Sequence, residues 1–125
     1  MSDISDLDRH RYLSLATFRR NGAEVTTPVW FAAGDGKLYV FTAGASGKVK
    51  RLRHSPRARI APSDARGRPR GAWRDATARI LTEPSSIDRA RTALRAKYGW
   101  QMWLTGLFSR LAGRIRSRAW IEIEV

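Results

Sequence analysis

Side chains suited to acid–base or nucleophilic work are few in this sequence. It contains no cysteine, which removes thiol catalysis, disulfide scaffolds and cysteine-ligated zinc or iron–sulfur centres. Its two histidines, His10 and His54, stand in no nucleophile motif and are too few for a histidine-rich metal centre. His54 falls beside Pro56 at an expected helix end, where a surface histidine is ordinary. Between residues 36 and 82 the only carboxylates are Asp64 and Asp75, both near turns or strand ends. Hydrolysis by paired carboxylates is disfavoured. A chain this poor in proton-transfer groups leaves its chemistry to a bound cofactor.

One stretch has the makings of a binding site: Phe41-Thr42-Ala43-Gly44-Ala45-Ser46-Gly47-Lys48-Val49-Lys50-Arg51. It runs from a strand through a small-residue loop into a helix start. Gly44 and Gly47 let backbone amides approach an anion, the helix N-terminus adds partial positive charge, and Lys48, Lys50 and Arg51 add full charges. The Walker spacing of glycine, Lys and Ser/Thr is absent. On these residues alone, a phosphate cradle and a solvated basic helix face are both open.

The elements around this stretch follow from periodicity and turn chemistry. A strand is expected over Tyr12–Phe18, where Leu13 and Leu15 alternate with Ser14 and Ala16. Arg20-Asn21-Gly22 gives a hairpin turn. A second strand, Glu24–Ala33, sets Val25, Thr27, Val29 and Phe31 on one face and Thr26, Pro28 and Trp30 on the other. Pro28 lacks an amide donor and so marks an edge, bulge or opening. Gly34-Asp35-Gly36 turns into a third strand, Lys37–Thr42. A short helix follows over Lys48–His54, with Ser46 as its cap. Strands resume at Arg57–Ser63 and Ala72–Thr82. Glu83-Pro84-Ser85 breaks the chain before helices over Ile87–Lys97 and Trp100–Ala112, and Ala119–Val125 is the last strand. Ser5-Asp6 is suited to cap an opening helix. The expected architecture is mainly β with α additions: a six-stranded antiparallel barrel in one domain, 1–125.

Length and charge set the outer bounds. At 125 residues with 42% apolar composition the chain can bury a core without staples. No apolar run approaches the roughly 18 residues of a membrane span, and Met1–Asp8 is acidic where a signal peptide is basic. A cytoplasmic protein without membrane insertion is expected. The net charge of +13 is uneven: residues 1–46 are neutral, 47–74 carry ten Lys/Arg against Asp64 alone, and 89–118 carry eight and no acid. Such fields attract polyanions, whether nucleic acid, anionic membrane or a phosphorylated, carboxylate-rich small molecule. With no helix-turn-helix, zinc or single-strand-binding motif, only non-specific, salt-sensitive retention of nucleic acid is expected.

The order Tyr12-Leu13-Ser14-Leu15-Ala16-Thr17, Thr27-Pro28-Val29-Trp30-Phe31, Lys37-Leu38-Tyr39-Val40-Phe41-Thr42, Ser46-Gly47-Lys48 and Arg57-Ala58-Arg59-Ile60-Ala61-Pro62 resembles the pyridoxamine-phosphate-oxidase-like split β-barrel superfamily, the FMN-binding split-barrel type. More narrowly it is similar to the flavin/deazaflavin oxidoreductase branch that uses coenzyme F420. The resemblance implies a homodimer with cofactor clefts between subunits. It implies that Thr27, Pro28, Val29 and Trp30 lie along a tricyclic ring, and that the stretch Thr42–Lys50, with Thr42, Ser46, Gly47, Lys48 and Lys50, holds the phosphate; Arg51, the next basic residue, is a further cofactor-binding candidate. Ser46 and Lys48 match the Ser and Lys of the phosphate-binding Ser-Arg-Lys in the FMN oxidases, while Gly47 replaces its Arg. Those oxidases also carry Arg and Lys on the second strand, where this sequence has Thr26 and Phe31. The departure favours coenzyme F420 over FMN.

The implied activity is hydride transfer from the deazaflavin to an electron-poor small-molecule substrate, with no side chain required as acid or base. A non-catalytic F420 or flavin carrier or storage protein on the same fold is the alternative, and a basic nucleic-acid-binding protein a further one.

Overall fold

Two tight turns organise the first three strands of the computed structural model, which describes Leu7, residues 10–43, 47–64, 66–104 and 118–125. Strand β1 (Tyr12–Phe18) turns through Arg20-Asn21-Gly22 into β2 (Glu24–Gly34). Gly22 sits at φ 87°, and the Asn21 Oδ1 accepts from the Ala23 amide at 2.9 Å. The Arg19 amide donates to the Ala23 carbonyl at 2.9 Å, closing a three-residue hairpin loop whose last residue must be left-handed. Strand β3 (Lys37–Ala43) follows after only two residues, Asp35 at φ 54° and Gly36 at φ 75°. Both angles are positive, as the tight Asp-Gly hairpin turn demands.

Helix α1 (Gly47–His54), strands β4 (Arg57–Ser63) and β5 (Arg74–Ile80), helix α2 (Pro84–Leu104) and strand β6 (Arg118–Glu124) complete the order. All six ladders are antiparallel, and they close a barrel in the order β1-β2-β3-β6-β5-β4 with β4 pairing back to β1. The expected mainly β, six-stranded antiparallel barrel with helical additions is the observed fold.

Strand alternation sends one set of side chains inward and the other outward. Leu13, Leu15, Val29, Phe31, Leu38, Val40, Ile60, Ile121 and Ile123 fill the barrel, all buried. Leu7, fully buried, joins this core from the N-terminal segment. Outward-facing Ala32, Tyr39 and Trp120 form a second cluster beneath Ala90 and Leu94 of α2. The helix thus covers the outer face of β2, β3 and β6.

Two expectations about this region change. The helix is one element and passes through Gly99 without a break, since a lone interior glycine costs only about 1 kcal/mol. Pro84 begins the helix instead of breaking the chain before it, because a first-turn residue needs no amide donor. The Ile87 amide donates to the Glu83 carbonyl at 3.0 Å, so the first helical bond starts one residue before the proline. Strand β5 is shorter at both ends than the expected Ala72–Thr82. The opening helix at Ser5-Asp6 and residues 105–112 of the second expected helix lie outside the described residues.

Candidate anion and cofactor site

Helix α1 is positioned by Val49 and Leu52, 0% and 5% exposed, which turn one face onto the barrel end formed by β1 and β5. That spacing leaves Lys48 and Arg51, also three residues apart, together on another face. The Lys48 Nζ donates to the Thr42 Oγ1 at 3.3 Å, tying the helix start to the end of β3. The Arg51 Nε donates to the Thr17 Oγ1 at 2.6 Å, tying the helix to β1. A Cβ on Gly47 would fall 2.8 Å from the Arg51 Nη1, so the guanidinium lies against this glycine. Thr42, Gly47, Lys48 and Arg51 are therefore brought together. Ser46 lies outside the described residues.

Burial holds the Lys48 ammonium below its ordinary pKa, and the neighbouring Arg51 pushes it the same way. Burial, then Arg19, lowers Arg51. Among the described residues no carboxylate pairs with Arg19, Lys48, Lys50 or Arg51. Desolvated cations without a counter-ion fit an anion, and a phosphate would also take hydrogen bonds from Lys48, Arg51 and the Thr42 hydroxyl.

Lys50 is exposed and faces a neighbouring groove of about 260 Å³, lined by Phe18, Arg19, Arg20, Lys50, Arg51 and His54. Phe18 gives it an apolar wall, and the Arg57 guanidinium lies 4.2 Å from that ring's centroid. Thr17, Arg19 and Arg20 were not legible as site residues, because only barrel closure brings β1 beside α1. The nearest sequence signal is their place at the end of a strand followed by a turn.

The β2 residues flank an opening on the other side of β3. Strand β2 pairs with β3 only from Phe31↔Val40 to Gly34↔Lys37. Its earlier residues, from Glu24 to Trp30, pair with β1 alone. The opening expected at Pro28 is thus present, and it separates this half of β2 from the Thr42 end of β3.

The four candidate ring-facing residues divide between two faces. Pro28 and Trp30 point outward; Thr27 and Val29 point inward. Val29 is 7% exposed within the core, so it can meet a ligand only through its main chain. The buried Thr27 Oγ1 has no hydrogen-bond partner, an orphaned polar atom at the opening. Trp30 stands edge-to-face with Tyr12, centroids 6.3 Å apart, and packs against the outer cluster beneath α2.

Pro28, although exposed, has Gly67 of the loop after β4 against one side of its ring. The Ser14 Oγ donates to the Gly67 carbonyl at 2.8 Å, and a Cβ on Gly67 would sit 3.3 Å from the Pro28 Cδ. Asp64 organises this loop: its Oδ1 accepts from the amides of Arg66 and Arg68, both at 2.9 Å. The Arg68 amide, then the other surrounding donors and cations, hold its carboxyl below the usual range against some burial.

Among the described residues no cluster of His, Asp and Glu is arranged to hold a metal, and no helix is long and apolar enough to cross a membrane.

A closed antiparallel barrel in which β2 pairs with β3 over only part of its length, with a basic helix start beside the end of β3, is a split β-barrel. The family described as pyridoxamine 5'-phosphate oxidase matches residues 5–125, and the chain belongs to it. Among solved structures, the conserved hypothetical protein Rv2991 from Mycobacterium tuberculosis is 23% identical over 98% of this chain and 79% of its own, with a TM-score of 0.67. An FAD-binding protein from Mesorhizobium loti is 15% identical over 95% and 82%, with a TM-score of 0.64. HutZ, the heme storage protein from Vibrio cholerae, is 14% identical over 97% and 86%, with a TM-score of 0.68. At these identities the likeness is one of fold. No curated protein shows significant sequence similarity to the chain.

Proposed function

We propose that the chain binds a phosphate-bearing flavin-type cofactor, coenzyme F420 in preference to FMN, and acts as a cytoplasmic oxidoreductase on an electron-poor small organic molecule. The observation that carries this reading is the pair of desolvated cations, Lys48 and Arg51, without a carboxylate partner among the described residues, with Lys48 tied to Thr42 at the end of β3 that β2 leaves unpaired.

In this reading Lys48, Arg51 and Thr42 bind the phosphate, and the β2 edge from Thr27 to Trp30 orients the ring. The unpaired backbone of this edge and the orphaned Thr27 hydroxyl offer hydrogen bonds to a flat heteroaromatic rim. Thr26 and Phe31 stand where the FMN oxidases place Arg and Lys, which supports the deazaflavin. When bound, the reduced deazaflavin supplies the hydride. The protein's share is orientation and exclusion of water. A homodimer completes the cleft, a second copy covering the β2 edge and the exposed Pro28.

A fluorescence titration with F420 and with FMN tests the reading. Saturable F420 binding at micromolar levels, tighter than FMN, supports it; no binding of either overturns it. A second reading, cofactor or heme storage, draws on the scarcity of proton-transfer groups at the site and on the likeness to HutZ. Reoxidation of bound reduced F420 by quinones or nitro compounds separates the two, since a storage protein leaves the cofactor reduced.

A further inference from the structure

A second cavity, of about 380 Å³, lies between the β2–β3 turn and α2 and shares no residue with the basic groove. Its walls are apolar and small: Ala33 on the strand side, Ala93 and Ala96 on the helix. Tyr39, 1% exposed, lies at its base. Helix and hairpin approach closely at Gly34, where a Cβ would stand 3.3 Å from the Tyr39 Cε2 and 3.4 Å from the Ala93 Cβ.

The lining carries two carboxylates, Asp35 and Asp88, and one cation, Arg89. Neither Asp35 nor Arg89 forms an ion pair with a described residue, whereas Asp88 is paired with Arg91 at 3.3 Å. Asp35 is fixed in place by the tight turn that holds it at φ 54°. Burial first raises the Tyr39 hydroxyl at the base of the cavity; Glu122 and then Asp35 add to the rise, and Lys37 and then Arg89 oppose it. Among the described residues Asp35 and Glu83 are the carboxylates without an ion pair, and of the two only Asp35 borders a cavity with a cation on its rim.

We propose that this cavity binds a small zwitterion of the amino-acid class, its ammonium group toward Asp35, its carboxylate toward Arg89 and its carbon chain along Ala33, Ala93 and Ala96. The volume falls in the range of small-molecule sites, which are mostly apolar with a few placed polar groups. Each end of a zwitterion makes a charge-assisted hydrogen bond with its opposite. A ligand bearing one charge leaves the other rim group unmatched. The assignment is independent of the cofactor reading, because it uses none of the same residues.

Amide and tyrosine-ring shifts in the NMR spectrum, recorded with glycine, β-alanine, 4-aminobutyrate and 6-aminohexanoate, test it. Saturable shifts at Gly36, Thr92 and Tyr39 are expected, with affinity peaking at one chain length. Asp35→Asn and Arg89→Gln should each weaken that binding about tenfold; Asn tolerates the positive φ, so the turn survives. Hexanoate and hexylamine should bind more weakly than 6-aminohexanoate. Absence of saturable shifts at about 10 mM of every zwitterion, equal binding of the single-charge analogues, or insensitivity to both substitutions overturns the proposal.

Discussion

The Arg51 Nε and the Thr17 Oγ1 are 2.6 Å apart, although their residues lie 34 positions apart in the chain. Thr17 is fully buried on β1 and Arg51 stands on α1, so a core-facing strand residue sets the direction of a site cation. Thr17→Val keeps the shape and removes the acceptor. Anion affinity should fall by about 1.5–3 kcal/mol, the scale of a hydrogen bond to a charged group. Thr17→Ser should restore it. Titration with the deazaflavin checks both, and equal affinity in the valine variant would show that Arg51 needs no such anchor.

Lys48 is a liability to the fold until an anion arrives. Its pKa is lowered by burial and by Arg51, so above the folded value the unfolded chain holds a proton that the folded chain has lost. Stability of the free protein therefore rises with pH through the window between the folded value and the ordinary lysine value. Lys48→Met should remove that slope, raise the melting temperature of the free protein near pH 7 and weaken phosphate-bearing ligands by about 1.5–3 kcal/mol. The difference between the two melting curves isolates Lys48 from Lys37. Hydrogen bonds to Glu122 and Glu124 raise Lys37, giving it the opposite slope.

Asp64 should act as the pin of an arginine-bearing loop. Its lowered pKa means that its stabilising contribution is present above the ordinary carboxylate range and is lost as pH falls through the folded value. Asp64→Ala removes the acceptor for two amides and should expose Arg66, Arg68 and Arg70 to trypsin. Asp64→Asn keeps one oxygen and should resist better. Limited proteolysis at neutral pH reads the difference; identical cutting of both variants and the parent would mean that the loop is held instead by the Ser14 hydroxyl on the Gly67 carbonyl and by the Arg70 amide, which donates to the Pro62 carbonyl at 2.6 Å.

On the proposed function, the basic groove would give the cofactor's outer charges a direction. A deazaflavin with a longer carboxylate tail should bind more tightly, with the gain shrinking above ~0.15 M salt, where screening shortens to about 8 Å. Arg53 is exposed and does not line the groove; Arg19, Arg20 and Lys50 do. Replacing Arg19 and Arg20 with Gln should flatten the dependence on tail length, while Arg53→Gln should leave it unchanged. Affinities that ignore both tail and salt would return the groove to plain surface.

Light scattering at tens of micromolar should report about twice the 14.1 kDa chain mass. A monomer at that concentration would remove the intersubunit cleft, leaving the β2 edge exposed on its own.

The strands could be read from the sequence because their signals are local. Asn21-Gly22 and Asp35-Gly36 placed the turns, and alternation correctly assigned Val29 and Phe31 to one face of β2 and Pro28 and Trp30 to the other. Helix α2 is one element where the sequence suggests two, Ile87–Lys97 and Trp100–Ala112, and it starts at Pro84 where the sequence suggests a break, because neither boundary can be judged without knowing what the helix packs against. Thr42, Gly47, Lys48 and Arg51 are near neighbours in sequence, so their convergence was visible. Thr17 and Arg19 reach the same place through ladders closed elsewhere, and no spacing rule reports that. The cavity beneath α2 was equally hidden, since Asp35 and Arg89 come from a turn and a helix that meet only through tertiary packing.

The ladder order has a consequence for how the chain reaches this state. Strand β6 lies between β3 and β5, yet it is made after both. As the chain emerges during synthesis, β1 to β5 can pair with one another while β3 and β5 each present an open edge rich in unpaired amides. Closing the barrel then requires one late, long-range docking step, the kind that is slow because loop entropy is spent before contacts return it. The growing chain is therefore most exposed to self-association in the interval before Ile121 and Ile123 enter the core.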